Sequence, residues 1–339
     1  MNALVCTSPR KLEYQEVPTP VLRQGQAILK IRRIGICGTD LHAFEGTQPF
    51  LSYPRIFGHE IAADLVEADG QTGLVSGEPV TVIPYIHCGQ CMACRAGRTN
   101  CCSSLQVFGV HIDGGMAEYL SVPSALVLSS HGLNYDQLAL VEPLCIGAHG
   151  IRRAALQPKE VVLIMGAGPI GLSAMAFAQL SGATVIAMDL NPARLAFCKN
   201  VLGIPYGIDP SREEAFQAIS QITGGEMASV VIDATGNLDA INSGLQYLAH
   251  AGRYVLIGLQ KEAFSFSHPE FHRREATLMS SRNATAQDFD YVMQMIQTGR
   301  IQPELFISQK VGFNKLRDAF PDLVDSAKLT IKTLVEFPQ

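Results

Sequence analysis

Residues 161–178 are apolar enough to suggest a membrane span, but Gly166, Gly168, Pro169 and Gly171 interrupt the run. Breakers at those positions divide it into a short buried strand, a tight turn and a helix, and so argue against a lipid-spanning helix. Gly166-Ala167-Gly168-Pro169-Ile170-Gly171 then stands where a phosphate-binding turn would, between a strand and a helix. Gly166 permits the turn and Gly168 lets a pyrophosphate approach the helix N-terminus. Pro169 and Ile170 open the helix, and Gly171 allows helix and strand to pack closely. A strand, turn and helix of this kind commits the surrounding chain to βαβ units and a parallel sheet.

The rest of that half agrees. Short apolar segments at 161–165, 184–188, 230–233, 253–257 and 277–280 alternate with helical patterns at 192–202, 213–223, 239–250 and 287–298. Asp189 closes the second of these strands, where a carboxylate can accept hydrogen bonds from both ribose hydroxyls and would repel a 2′-phosphate. NAD rather than NADP is therefore expected, with Arg194 able to stack on adenine or contact the ribose. A plainer role for Asp189 is a helix cap before Pro192. Gly236 in Asp233-Ala234-Thr235-Gly236-Asn237, Gly258 after the fourth strand, and Arg282 in Ser280-Ser281-Arg282-Asn283 lie at the carboxyl edge, where such sheets bind ligands.

Upstream, from about residue 27 to residue 127, apolar segments are separated by glycine and proline turns, a β-rich and irregular pattern. After Gly299 the strand-like segments 306–308 and 329–337 lack βα alternation and are expected to rejoin this first domain. A chain of 339 residues with 47% apolar and 17% charged residues fits two well-filled cores. The expected fold is α/β: a Rossmann doubly wound parallel sheet at 150–298, and a β-rich catalytic domain from 1–149 and 299–339.

Five of the nine cysteines crowd into residues 88–102. Cys88, Cys91, Cys94 and Cys102 supply four soft sulfur ligands, enough for a closed tetrahedral zinc site with a structural role. Cys101 neighbours Cys102 and competes with it; Cys102 is the choice. Free thiols in a surface loop are the plainer alternative. The amino-terminal residues lack the cationic and then apolar order of a secretory signal, so a cytoplasmic location is expected. A net charge of -5 supplies no reason to expect nucleic acid or an anionic membrane as partner, and a small-molecule substrate is the expectation.

Gly35-Ile36-Cys37-Gly38-Thr39-Asp40-Leu41-His42 and Gly58-His59-Glu60 bring thiolate, imidazole, carboxylate and hydroxyl groups into one region. Taken singly, Cys37 reads as a buried thiol and His59 as a core histidine. The order of all these motifs, however, resembles the zinc-containing medium-chain alcohol dehydrogenase family over essentially the whole chain, in which the first domain is GroES-like. The resemblance implies that Cys37 and His59 bind a catalytic zinc, that Asp40 orients His59, and that Thr39 and His42 relay the alcohol proton. Val141-Glu142-Pro143-Leu144 stands where many members carry a second cysteine. Glu142, with Glu60 assisting, is similar to the polyol branch, in which carboxylates reach zinc directly or through water; which of the two touches the metal is open. Cys145 is a nearby competitor. Three protein ligands would leave a position for substrate oxygen.

Two zinc ions per chain and NAD are thus the expected cofactors, and a homodimer or homotetramer is what the family implies. Residues 35–40, 97–102, 109–115 and 269–272 look like the bacterial sugar-acid branch, which includes L-galactonate and L-gulonate oxidoreductases and starvation-sensing proteins. The implied reaction oxidises a secondary alcohol of an aldonate, whose carboxylate could meet Arg55, Arg273 or Arg274. A polyol or L-threonine dehydrogenase is the alternative with the same chemistry. A regulator that senses NAD or a metabolite without turnover is the alternative of another class.

Overall fold

The computed structural model describes residues 1–70, 73–324 and 330–338. The chain divides into two compact units, Met1–Glu142 with Thr285–Gln339, and Pro143–Ala284. These divisions fall seven residues before the 149/150 boundary expected from sequence and fourteen before the one at 298/299. The helix Ala286–Gln297 accounts for the second difference. It buries Phe289, Val292, Met293 and Ile296 along one face, and within the first unit Phe289 meets Tyr85 edge to face at 6.2 Å.

The second unit carries a six-stranded parallel sheet. From edge to edge its strands are Tyr206–Ile208, Thr184–Met188, Val161–Met165, Ala228–Asp233, Leu248–Leu256 and Thr277–Ser280. Numbered along the chain this is the order 3-2-1-4-5-6 of the doubly wound nucleotide-binding fold. The strands are short and apolar because helices cover both faces. Leu163, Met165, Ile186, Ile208, Ile219 and Val231 form part of one core. Each such fully buried side chain contributes roughly 1.5–3 kcal/mol.

One helix differs from the sequence reading. The segment expected to be helical over 239–250 is helical only at Leu238–Ser243, then passes through a 3-10 turn into the strand Leu248–Leu256. Leu245, Tyr247 and Leu248 all enter the core. In a helix Leu245 and Leu248 would share a face while Tyr247 would point about 160° away from Leu245, so burial of all three suits the 3-10 turn and strand better than a continuous helix. The apolar run 161–178 is strand, turn and helix, and among the described residues no helix is long and apolar enough to cross a membrane.

The first unit is built on a seven-stranded sheet centred on Gln26–Gly35. That strand pairs antiparallel with Glu60–Ala68 on one side and with Lys332–Glu336 on the other. The carboxyl-terminal segment therefore returns to the first unit as a strand; Leu329, where the sequence pattern begins it, lies outside the described residues. Gly35 sits opposite Glu60 on one side and Leu334 on the other, so residues from three distant parts of the chain meet at the end of one strand.

Candidate active site

Cys37 follows the strand Gln26–Gly35 and caps the helix Gly38–Glu45. Asp40, three residues into that start, accepts from the Cys37 N–H at 2.9 Å through Oδ2 and from the Gly58 N–H at 3.3 Å through Oδ1. These bonds hold the Cys37 turn against the segment leading to His59. Asp40 Oδ1 stands 4.0 Å from His59 Nδ1, and both side chains are buried. Burial pushes the Asp40 carboxyl up, against the opposing pull of His59.

Ligand atoms of Cys37, His59 and Glu60 lie within 4.8 Å of one another. Nδ1 of His59 is buried and has no hydrogen-bond partner. Burial alone would lower the His59 pKa, but Cys37, Asp40 and Glu142 together hold it well above the ordinary histidine value. A half-buried thiol with a buried imidazole and a buried carboxylate in such proximity forms a donor set that calls for a cation, and the mixture suits zinc.

Glu142 is buried and lies outside the 4.8 Å group. Burial raises its pKa, with His59 drawing it down and Glu60 pushing it up. Its Oε1 accepts a hydrogen bond from the Tyr85 hydroxyl. Glu60, in contrast, accepts from Lys332 Nζ through both oxygens, at 2.6 and 2.8 Å. Burial disfavours the Lys332 charge, but Glu60, Cys37 and Glu142 outweigh it and raise the lysine's pKa. Tyr85 and Lys332 were not singled out in the sequence. For Lys332 a signal existed, a lone lysine in the apolar stretch Ile331-Lys332-Thr333-Leu334-Val335. Tyr85 carried none.

Thr39 is half-buried on the turn after Cys37, whereas the His42 side chain is 64% exposed, with Nδ1 3.2 Å from Thr47 Oγ1. No direct hydrogen bond joins Thr39 to His42, so a proton passing between them needs a bridging group. Of the cations considered for a substrate carboxylate, Arg55 pairs with Asp113 at 3.1 Å, while Arg273 and Arg274 both pair with Glu270. Cys145 is buried.

Cys88, Cys91, Cys94 and Cys102 converge as a second group. Backbone N–H groups of Cys88 and Ser104 point at the Cys102 sulfur, and that of Cys91 at the Cys88 sulfur, at 3.3–3.4 Å. Amide donors aimed at sulfur favour thiolates, the form that binds metal. Cys101 ends the 3-10 turn Thr99–Cys101 and is not part of the group.

In the second unit, Gly166 has φ +95° and its N–H bonds Met188 O at 2.7 Å, turning the chain off the strand. A Cβ on Gly171 would stand 1.7 Å from Gly166 O, so only glycine lets the helix Pro169–Leu180 begin this close to the turn. Gly168 is the N-cap, with Pro169 and Ile170 in the first turn; open space lies where its Cβ would be, the condition for close approach of a pyrophosphate. Asp189 Oδ2 accepts from Ala167 N at 2.6 Å and Oδ1 from Asn191 N at 2.7 Å, and Arg194 stands 3.8 Å away. The cap of the following helix is Asn191, whose side chain accepts from Ala193 N. A Cβ on Gly258 would stand 2.2 Å from Gly236 N, and one on Gly236, whose φ is +62°, 2.8 Å from Leu259 O, so packing asks for glycine at both. Arg282 is exposed.

Residues 23–131 match the alcohol dehydrogenase GroES-like domain, and residues 169–298 match the zinc-binding dehydrogenase family. The chain is 43% identical to L-galactonate-5-dehydrogenase of Escherichia coli K12 over 99% of both chains. It is 33% identical to 2-dehydro-3-deoxy-L-galactonate 5-dehydrogenase of Pseudoalteromonas atlantica over 92% of both. Among solved structures, the short chain alcohol dehydrogenase (rspB) of E. coli CFT073, complexed with NADH, superimposes with a TM-score of 0.92 at 29% identity over 99% of both chains.

Proposed function

Because this chain belongs to the zinc-binding dehydrogenase family with a GroES-like domain, and is an oxidoreductase, we propose that it oxidises a secondary hydroxyl of an aldonate such as L-galactonate or L-gulonate with NAD. The observation that carries this reading is the convergence of half-buried Cys37 with buried His59 and Glu60, His59 Nδ1 being left unpartnered. Zinc, when bound, polarises the substrate hydroxyl and lowers its pKa.

Cys37, His59 and Glu60 would hold that ion, with Glu142 buried beside them. Asp40 sets the Cys37 turn and faces His59. Thr39 receives the substrate proton, and His42, at the exposed end of the same turn, delivers it to solvent. Residues 166–171 present amides to the pyrophosphate, and Asp189 receives the ribose hydroxyls. The four thiolates of residues 88–102 would hold a second zinc that only braces its loop. A cytoplasmic location is part of the same reading, and cysteines kept as thiols or metal ligands rather than disulfides support it. The strand Thr277–Ser280 ends its sheet, and its outer edge offers one route to a homo-oligomer.

Reduction of NAD and of NADP by the purified protein, with L-galactonate, L-gulonate, sorbitol, L-threonine and ethanol, tests the reading. NAD reduction is expected with the aldonates. Turnover restricted to sorbitol or threonine would move the assignment to those enzymes. NAD binding without turnover on any of them would favour a sensing role.

A further inference from the structure

We propose that Thr47 is a positioning residue for the proton relay: it holds the neutral His42 ring with its hydrogen on Nδ1, so that Nε2 is the nitrogen that takes up the substrate proton. The inference rests on the relay proposed above. The helix Gly38–Glu45 ends at Gly46, whose φ of +79° turns the chain back on itself. Gly46 N–H then bonds Ala43 O at 3.1 Å and Thr47 N–H bonds His42 O at 2.8 Å, the paired bonds of a Schellman motif. In that motif the two residues at the positions of Thr47 and His42 frequently share an apolar contact. Here the contact joins a hydroxyl to an imidazole.

That hydroxyl has one proton to give. Thr47 Oγ1 lies 3.2 Å from His42 O, which can only accept, and 3.2 Å from His42 Nδ1. Donating to the carbonyl, Oγ1 meets the ring as an acceptor, so Nδ1 carries the hydrogen. Glu45 acts in the same direction. Its Oε2 stands 3.9 Å from Nδ1, where a carboxylate favours an N–H and steadies the ring once it is charged, while its Oε1 faces Arg10 at 3.8 Å. A neutral imidazole has one basic nitrogen, and with Nδ1 occupied it is Nε2. The proton leaving Thr39 reaches Nε2 through a bridging group. The ring becomes imidazolium, keeps Nδ1–H on Thr47, and gives the Nε2 proton to water.

Nitrogen-15 labelling of the histidines in the full chain tests this, because long-range proton–nitrogen spectra distinguish the two neutral tautomers. The signals lost in His42→Ala assign His42 among the nine histidines. In mildly alkaline solution the wild-type ring is expected to show Nδ1–H. Thr47→Val keeps the size and the backbone bonds of Thr47 but not its hydroxyl. It should move His42 toward Nε2–H and slow single-turnover NAD reduction with L-galactonate by about tenfold, with KM for NAD and zinc content unchanged. Thr47→Ser should restore both the spectrum and the rate. A wild-type ring protonated on Nε2, or a Thr47→Val that keeps the wild-type spectrum or rate, would overturn the inference. His42→Ala with the wild-type rate would instead remove the relay, and the role of Thr47 with it. If L-galactonate is not turned over at all, the proposed function fails and the spectrum alone decides on Thr47.

Discussion

The Tyr85 hydroxyl donates a hydrogen bond to Oε1 of Glu142, and both side chains are buried. The bond leaves Glu142 one oxygen for another partner and fixes the direction in which that oxygen points. Removing the donor by Tyr85→Phe keeps the ring and its edge contact with Phe289. Partners of this kind are typically worth about 10–100-fold in metal affinity or activity. We expect a fall of that size in kcat or in zinc retention after dialysis, with the circular dichroism unchanged. Unaltered kinetics and metal content would remove Tyr85 from the site.

Cys37→Ser is expected to abolish NAD reduction and to lower the zinc content from two ions per chain to one. Metal analysis by mass spectrometry checks the second part. A variant that keeps both ions and its turnover would exclude Cys37 as a ligand.

Asp189→Ala should act twice. Ala167 N and Asn191 N both lose an acceptor, which loosens the turn and weakens either dinucleotide by about 1–3 kcal/mol. Arg194, 3.8 Å from the carboxylate, is released at the same time. The ratio of kcat/KM for NADP over NAD should therefore rise even as both values fall. An unchanged ratio would mean that Asp189 only braces the turn.

Stripping the four-thiolate loop with a chelator should expose thiols of unequal reactivity. The Cys94 and Ser103 amides draw the Cys91 pKa down, whereas burial and then Cys91 push that of Cys94 up. The thiolate is the reactive form, so Cys91 should alkylate well before Cys94 at neutral pH. Timed labelling with peptide mapping measures the order, and equal rates would contradict it.

Asp136 joins Arg33 and Lys310, which sit on different strands of the first unit's sheet. Burial alone would raise the Asp136 pKa, but Lys310 and Arg33 hold it below the ordinary carboxylate value. A depressed folded pKa gives stability that is fully present above the unfolded value of about 3.9 and is lost as pH falls through the lower folded value. Allowing for partial exposure, Asp136→Asn should cost about 0.5–1 kcal/mol at pH 7 and almost nothing in strong acid. Urea melts at the two pH values decide; an equal cost at both would assign the loss to packing.

How much of the protein could be read in advance depends on how far apart the interacting residues lie. The turn at residues 166–171 and the cysteines of residues 88–102 are local: their spacing alone specifies what the backbone can do. Helix 239–250 was misjudged because its apolar residues suit a helix and a strand equally well until the core claims Leu245, Tyr247 and Leu248 together. The need for glycine at 236 and 258 is likewise not local: a side chain at Gly258 would meet the Gly236 backbone, and one at Gly236 would meet that of Leu259, across two adjacent strand ends.

The same distinction runs through the proposed metal site. The order of motifs, through its resemblance to the dehydrogenase family, picked out Cys37, Asp40 and His59, whereas Cys37 and His59 taken singly have plainer readings. Which carboxylate has which neighbour was a tertiary matter. Tyr85 and Glu142 are 57 residues apart, and Glu60 and Lys332 are 272 apart, joined only because the carboxyl-terminal strand pairs with Gln26–Gly35. Charge compensation acts through space, and a buried acid's partner is set by where strands meet.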